Sequence, residues 1–455
     1  MDLKTMFKPK TLAVIGISLT NDRHPANVIY NKNNLRFQTE VFPVNDRGGI
    51  LQGENVFPRI SDIPKKVDLA VIAVRAEAVP DIMVQCIQAG VSAAVIISGG
   101  FAESGRRDLQ DRIVSLAREA DFPFVGPNCL GIYSPPYMDT FFLPSERMVR
   151  PERGTVGFVS QSGGILVDHM TKFAEEGVGL SLAVSIGNKA QIRELDMLGY
   201  FASDPATEVI AFYVEGFERN EGRKFVLAAG QCPKPVIVLK SGKTPAGVRA
   251  VSSHTASMAG DYEVFSAVIS QHGVVEAKDE FELVSFCEAL SCYNQSIQGR
   301  IGIITVSGGH GALAVDTCFA YGLSVPTLSD ESQAEIREGV SPRVREIASY
   351  SNPIDLTGSA VDEDFIAAAK FLGGTDEIDC VLILLLPYTP GITSDLGARL
   401  SQICRQEGKP LIAYVPHVEK YRIFIEGFEL NRIPVAHSIE GAVHMAEALR
   451  RWKPC

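Results

Sequence analysis

The chain is short of positive charge. Its 43 lysines and arginines stand against 54 aspartates and glutamates, a formal net charge of −11. A nucleic-acid partner needs a basic face, so none is expected. Small anions remain allowed, because helix N-termini and backbone nests bind them whatever the net charge. The sequence also lacks any apolar run approaching the ~18 residues of a membrane span, so no membrane partner is expected. The nine cysteines are scattered, with no CxxC pair and no spaced zinc set. Free thiols in apolar stretches behave as small hydrophobes, and the expectation is a reduced, cytoplasmic protein. His24, His169, His272, His417, His437 and His444 show no metal-ligand spacing, so no metal site is expected. The sequence runs from Met1-Asp2-Leu3-Lys4 straight into a folded pattern, and no signal peptide is expected.

What is present is an ordinary globular composition, 46% hydrophobic and 21% charged. At 455 residues, and about 150 per domain, roughly three domains are expected. Short β-branched runs alternate with helical-period stretches, the pattern of parallel sheets covered on both faces. The first block predicts strands over 11–15, 40–43, 69–74, 93–97 and 122–125. Residues 134–153, rich in Pro, Ser and Arg, read as a linker. A second block predicts strands over 155–159, 180–185, 209–214 and 236–239, and a third over 301–305, 381–386 and 411–414. The expected domains are 1–150, 151–297 and 298–455. Blocks two and three read as an internal repeat, with Val156-Gly157-Phe158-Val159-Ser160-Gln161-Ser162-Gly163-Gly164 parallel to Ile301-Gly302-Ile303-Ile304-Thr305-Val306-Ser307-Gly308-Gly309. They differ where Glu215 ends a strand in block two and Pro387 holds the matching place in block three.

Ser252-Ser253-His254-Thr255-Ala256-Ser257-Met258-Ala259-Gly260 sets one histidine among small residues. A histidine shown on such a loop can carry a phosphoryl group, splitting one hard transfer into two easier ones. A lone histidine is more often a satisfied surface or core residue. Ser160, Gln161, Ser162, Gly163 and Gly164 stand between a buried strand and a helix, where open helical N–H groups favour an anion. Gly308 and Gly309 head a second such turn. His310 beside them can contact phosphate, cap or pack. Glycine and serine also mark plain turns and caps. Glu215 can take a hydrogen bond from one histidine nitrogen and leave the other nucleophilic, or simply be solvated.

In block one a single Gly16 before Ser18 closes the first strand, short of the full GxGxxG fingerprint. Asn45 stands where an acid would hold an NAD ribose, with Asp46 adjacent. Ser98-Gly99-Gly100 and Gly126-Pro127-Asn128-Cys129 end the last two strands, and strand ends at a switch point are where such sheets bind ligands. A nucleotide-bearing ligand other than NAD fits these features.

These motifs together resemble the α subunits of NDP-forming acyl-CoA synthetases, the ADP-forming acetyl-CoA synthetase group related to succinyl-CoA synthetase. The resemblance rests on Val14-Ile15-Gly16-Ile17-Ser18, Pro43-Val44-Asn45, Gly126-Pro127-Asn128-Cys129-Leu130-Gly131, Val159-Ser160-Gln161-Ser162-Gly163, Ser185-Ile186-Gly187-Asn188-Lys189-Ala190, Glu215-Gly216 and Ser253-His254-Thr255. It covers essentially the whole chain. It implies an α/β protein, a Rossmann-like CoA-binding domain followed by two flavodoxin-like doubly wound domains.

By that resemblance His254 is the phosphorylated histidine and Glu215 its supporting carboxylate. Gly16, Ser18, Asn45, Val74 and Arg75 line the CoA site, with Ser98 and Gly99 nearby. Asn128 lies near the CoA thiol, and Asn188 helps form the acyl pocket. Gly163, Gly164 and Gly309 head the helices that hold the phosphoryl group. Arg75 and His310 stand where the family usually or often has proline, and residues 21–27 lack its Gly-Lys-x-Gly turn. The family also needs an ATP-grasp domain, which this sequence does not suggest. A separate β subunit, holding ADP or ATP with Mg2+ in an α2β2-type assembly, is therefore expected, with a small carboxylic acid, coenzyme A and phosphate as the other reactants. A CoA-binding sensor or scaffold that kept the fold, and an NAD-dependent dehydrogenase, are the other readings.

Overall fold

The computed structural model describes residues 3–252 and 261–454. The chain divides into two compact units, Met1–Glu276 and Ala277–Cys455. Among the described residues the first unit carries two large sheets and a two-stranded hairpin, Gly49–Leu51 with Glu54–Val56, and the second unit carries one sheet.

The strands form where the sequence is apolar on both faces. Thr11–Ile15, Leu69–Ile72 and Ala93–Ile96 are buried at every position. That is the signature of a parallel strand covered by helices on both sides. The first sheet runs Glu40–Val44, Thr11–Ile15, Leu69–Ile72, Ala93–Ile96, Phe124–Val125, all parallel. Counted in chain order this is 2-1-3-4-5, the doubly wound order whose switch point lies between strands 1 and 3.

The second sheet repeats that order. Leu180–Ser185, Arg153–Ser160, Val209–Val214, Val236–Lys240 and Val275–Ala277 lie side by side. Two short antiparallel strands, Ile132–Ser134 and Met138–Asp139, extend it beyond Leu180–Ser185. The second of them lies within 134–153, the stretch read as a linker, which is instead built into the sheet. Met138, Asp139 and Phe141 are fully buried. The buried Asp139 carboxylate binds Lys32, 2.9 Å away, and Arg150. Prolines and two- or three-residue strands hide such a segment from a periodicity argument. A single apolar core joins the two sheets, from Leu12, Val14 and Ile29 through Ile132 and Met138 to Val159 and Ile210.

In the second unit Ile354–Asp355, Ile301–Thr305, Cys380–Leu384, Leu411–Tyr414 and Val435–Ala436 again run 2-1-3-4-5. The helix Glu280–Cys292 packs along the final helix Ile439–Arg451 in this unit. The internal repeat therefore extends to topology. It also reaches the turns after the first strands. Ser160 Oγ donates to the Ser162 carbonyl at 2.7 Å and accepts from its N–H at 3.1 Å. Thr305 Oγ1 makes the same two bonds with Ser307, at 3.2 and 3.1 Å. No described helix is long and apolar enough to cross a membrane.

Candidate functional site

Three groups of residues gather at strand C-terminal ends in the first unit. The first is a cleft of about 860 Å³ at the switch point of the first sheet. Gly16, Asn45, Val74 and Arg75 line it, together with Arg59 and Ser61. The volume suits a nucleotide-sized ligand. Gly16 has φ +105°, and a Cβ there would stand 2.3 Å from the Ala73 carbonyl oxygen. Only glycine lets the first strand turn so close to its neighbour. Asn45 Nδ2 donates to the Ile17 carbonyl at 2.6 Å and braces that turn. Ser18 does not line the cleft. Its hydroxyl accepts from the Asn21 N–H at 3.0 Å, and its backbone is held at both ends by the buried Asn27. Arg59 had no signal in the sequence, since its loop lies outside every periodic element.

The second group sits where the two sheets of the unit meet. Asn128, at φ +55°, follows a cis Gly126–Pro127 bond. Its N–H donates to the Ser98 carbonyl at 2.9 Å. Ser98 Oγ in turn donates to the Val74 carbonyl at 2.6 Å. Gly99 leaves room for the Asn128 amide, whose oxygen would lie 3.2 Å from a Cβ there. Asn128 Nδ2 donates to Asn188 Oδ1 at 3.2 Å, and Asn188 Nδ2 donates to Glu103 and Gln110. Gly187, at φ +54°, passes so near Pro127 and Asn128 that a Cβ would stand 2.4 and 2.3 Å from their carbonyl oxygens. Ser98, Gly99, Asn128 and Asn188 thus share one place, beside a small polar pocket of about 150 Å³ that includes Gln161. Cys129 is not a nucleophile here, because burial pushes its thiol up to about 12. Glu103 carries the Gly100 and Phe101 N–H groups and the Asn188 amide; its pKa is lowered because these bonds outweigh burial, which acts the other way.

The third group is the switch point of the second sheet. The helix Gly163–Glu175 begins there, with Ser162 as N-cap. A Cβ on Gly164 would meet nothing within 4 Å, so the N-terminal turn is open on that side. Glu215, mostly buried, follows the neighbouring strand Val209–Val214. Gln161 Oε1 accepts from the N–H groups of both Glu215 and Gly216, at 2.7 and 3.1 Å. Gln161 Nε2 donates to the Gly216 carbonyl at 2.8 Å and to Glu194. Lys189 Nζ donates to Glu194 Oε1 at 2.8 Å and to the same Gly216 carbonyl. The Lys189–Glu194 pair is almost fully buried. Tyr213 lies on the same face as Glu215; burial first, then Glu215, pushes its pKa up against a bond to Ser241. An open helix N-terminus beside a carboxylate whose backbone turn is held can receive an anion and orient a proton-bearing partner.

His254 lies outside the described residues. Glu194 and Lys240 had no assigned part in the sequence, and Lys189 entered only within a motif. An acid in the first turn of a helix and a lysine at a strand end both read as solvated until burial is known.

In the second unit Gly308 and Gly309 open the helix Gly308–Ala320, and His310 Nδ1 is 2.9 Å from Ser307 Oγ. Asp355 pairs with Thr305 as Ser185 pairs with Ser160. Its carboxylate would stand 3.2 Å from a Cβ on Gly308. A neutral hydroxyl in one repeat is thus an acid in the other. Among the described residues no group of three or more His, Cys, Asp or Glu could hold a metal ion.

Residues 10–135 match the family model of a CoA binding domain, and residues 153–290 that of the succinyl-CoA ligase like flavodoxin domain. The chain is 31% identical to the α subunit of acetate–CoA ligase [ADP-forming] I of Pyrococcus furiosus, over 99% of this chain and 98% of that one. It is 36% identical to acetate–CoA ligase [ADP-forming] I of Archaeoglobus fulgidus over 85% of its own length, and spans 55% of that longer protein. Among solved structures it resembles the dinucleotide forming acetyl-coenzyme A synthetase 1 of Ca. Korarchaeum cryptofilum in complex with phosphate and ADP. The TM-score is 0.88 and the identity 30%, over 99% of this chain and 96% of that one. On these matches, and on the three sheets that carry them, the chain belongs to the family of ADP-forming acetate–CoA ligase α subunits.

Proposed function

We propose that the chain carries the acyl-transfer and phosphohistidine half of an ADP-forming acid–CoA ligase. The observation that carries this reading is Glu215, a mostly buried carboxylate whose turn is held by Gln161 beside the open start of the helix Gly163–Glu175. In the reading, the cleft at Gly16, Asn45, Val74 and Arg75 holds coenzyme A, with Arg59 and Arg75 facing its phosphates. The thioester reaches the place shared by Asn128 and Asn188. Phosphate, held by the N–H groups at Gly163 and Gly164, attacks the thioester carbonyl. The C–S bond breaks, and the products are acyl phosphate and the CoA thiol. A ring nitrogen of His254 then attacks phosphorus and releases the carboxylate. Glu215 accepts a hydrogen bond from the other ring nitrogen, setting the tautomer and stabilising the developing positive charge.

The phosphoryl group next passes to ADP, which with Mg2+ belongs to an ATP-grasp partner in this reading. That the Pyrococcus furiosus relative is an α subunit supports a partner subunit. The small, polar pocket around Asn188 and Gln110 supports a short carboxylic acid as substrate. In this reading the repeated helix turn at Gly308 and Gly309 carries Asp355 where the first repeat has the hydroxyl of Ser185.

The test is to incubate the full chain with acetyl-CoA and labelled phosphate, then map phosphopeptides under alkaline conditions. Acid-labile label on the peptide holding His254, and none in His254→Ala, is the expected result. Tight CoA binding with no label, alone or with a co-purified nucleotide-binding subunit, would replace the ligase by a CoA-binding sensor.

A further inference from the structure

Lys240 ends the strand Val236–Lys240 and is 3% exposed. An ammonium in such a place is costly unless polar groups surround it. They do surround it. Lys240 Nζ donates to the Glu215 carbonyl at 2.8 Å and to the Ser241 carbonyl. Val214 pairs with Lys240 across the ladder, so this side chain ties the ends of two neighbouring strands. Together with Gln161 and Lys189 it completes a set. The N–H and carbonyl of Glu215, and the N–H and carbonyl of Gly216, are each taken by a buried side chain.

Strand ends can be held by apolar packing at less cost than by two buried ammonium groups. The one charged side chain that leaves this turn is that of Glu215. We propose that Lys240 is a positioning residue, holding the Glu215 turn so that the carboxylate stays aimed during phosphoryl transfer. The inference rests on the proposed function, in which Glu215 orients the phosphoryl-accepting histidine.

The charged groups around Lys240 come from three elements. Glu215 follows the neighbouring strand, Lys189 follows Leu180–Ser185, and Lys243 follows Lys240's own strand. Lys189 is itself paired with Glu194, and Tyr213 stands by Glu215. Burial, chiefly, lowers the Lys240 pKa to about 8; Glu215 opposes the shift and the two lysines add to it. The positioning charge is present at pH 7 and lost above about pH 8.

The experiment follows the rate of acid-labile phosphorylation of the full chain by acetyl-CoA and labelled phosphate between pH 6.5 and 9.5, in steps of about half a unit. Wild type, Lys240→Met and Lys240→Arg are compared, with CoA affinity and thermal unfolding measured beside them. Lys240→Met is expected to label at least about tenfold more slowly at pH 7, the scale of a small misplacement, with CoA affinity unchanged. Lys240→Arg, which keeps its charge, is expected to recover most of the rate and to remove the alkaline fall. If Lys240→Met labels like wild type, or Lys240→Arg folds yet shows the wild-type alkaline fall, the inference is overturned. Should Lys240→Met fail to fold, the pH profile of Lys240→Arg decides alone. A wild-type chain that takes no label overturns the functional reading and the inference with it, whereas a labelled wild type beside an indifferent Lys240→Met overturns the inference alone.

Discussion

The side-chain oxygen of Gln161 accepts the main-chain N–H of Glu215 at 2.7 Å, across two neighbouring strand ends. It accepts that of Gly216 as well, so one buried amide holds a whole turn. Gln161→Leu leaves two buried N–H groups without this acceptor. An unsatisfied buried donor costs about 1–3 kcal/mol. Chemical denaturation should report a loss of that size, and histidine phosphorylation should fall more than CoA affinity. A variant as stable and as readily phosphorylated as wild type would show that the turn is held by other means.

Lys189 and Glu194 form a buried pair, 4% and 2% exposed. Removing one partner strands the other charge, at a cost of about 3–5 kcal/mol. Glu194→Leu alone is therefore expected to be strongly destabilised. Lys189→Met with Glu194→Leu should regain much of that stability, because no lone charge remains. A double-mutant cycle measured by urea unfolding gives the coupling, and additive losses would argue against a true pair.

The switch-point cleft of the first sheet makes a separate prediction. Gly16→Ala sets a Cβ against the Ala73 carbonyl in a conformation that L residues rarely adopt. Arg75→Ala keeps the backbone and removes a guanidinium from the cleft wall. Charged hydrogen bonds contribute about 1.5–3 kcal/mol, so Arg75→Ala should weaken CoA binding roughly tenfold or more, with a shallower salt dependence. Titration calorimetry at two salt concentrations checks this. Unchanged affinity in both variants would move coenzyme A out of the cleft.

Lys32 links stability to pH. Burial lowers its pKa to about 8, with Asp139 opposing and Arg150 adding to the shift. Below about pH 8 the lysine is charged folded and unfolded, and the folded chain bears the full cost of burying it. Between about pH 8 and the ordinary value of 10.5 the unfolded chain holds more protons, so this group's contribution to stability rises with pH. The slope from one proton is at most about 1.4 kcal/mol per pH unit. Lys32→Met should remove that upward slope. A slope unchanged in the variant would assign it to other groups, Lys240 first among them.

Much of the fold could be read along the chain. Thr11–Ile15, Leu180–Ser185, Val209–Val214, Ile301–Thr305 and Leu411–Tyr414 lie where apolar runs predict them. A strand buried on both faces has no amphipathic pattern to misread. The stretch 134–153 was not legible, because its strand Met138–Asp139 is two residues long and its buried carboxylate Asp139 is met by Lys32, distant in the chain, and Arg150.

The same division runs through the site. Gly16, Asn45, Gly163 and Glu215 stand at strand ends, and strand ends are local features that residue order determines. That the chain joins this family also follows from motif order alone. The tertiary structure decided which polar residues lose their water. Lys240, Lys189 and Glu194 are ordinary charges in the sequence. They become a buried frame only when the strands Val209–Val214 and Val236–Lys240 and the turn after Leu180–Ser185 are drawn together, because desolvation depends on neighbours distant in the chain.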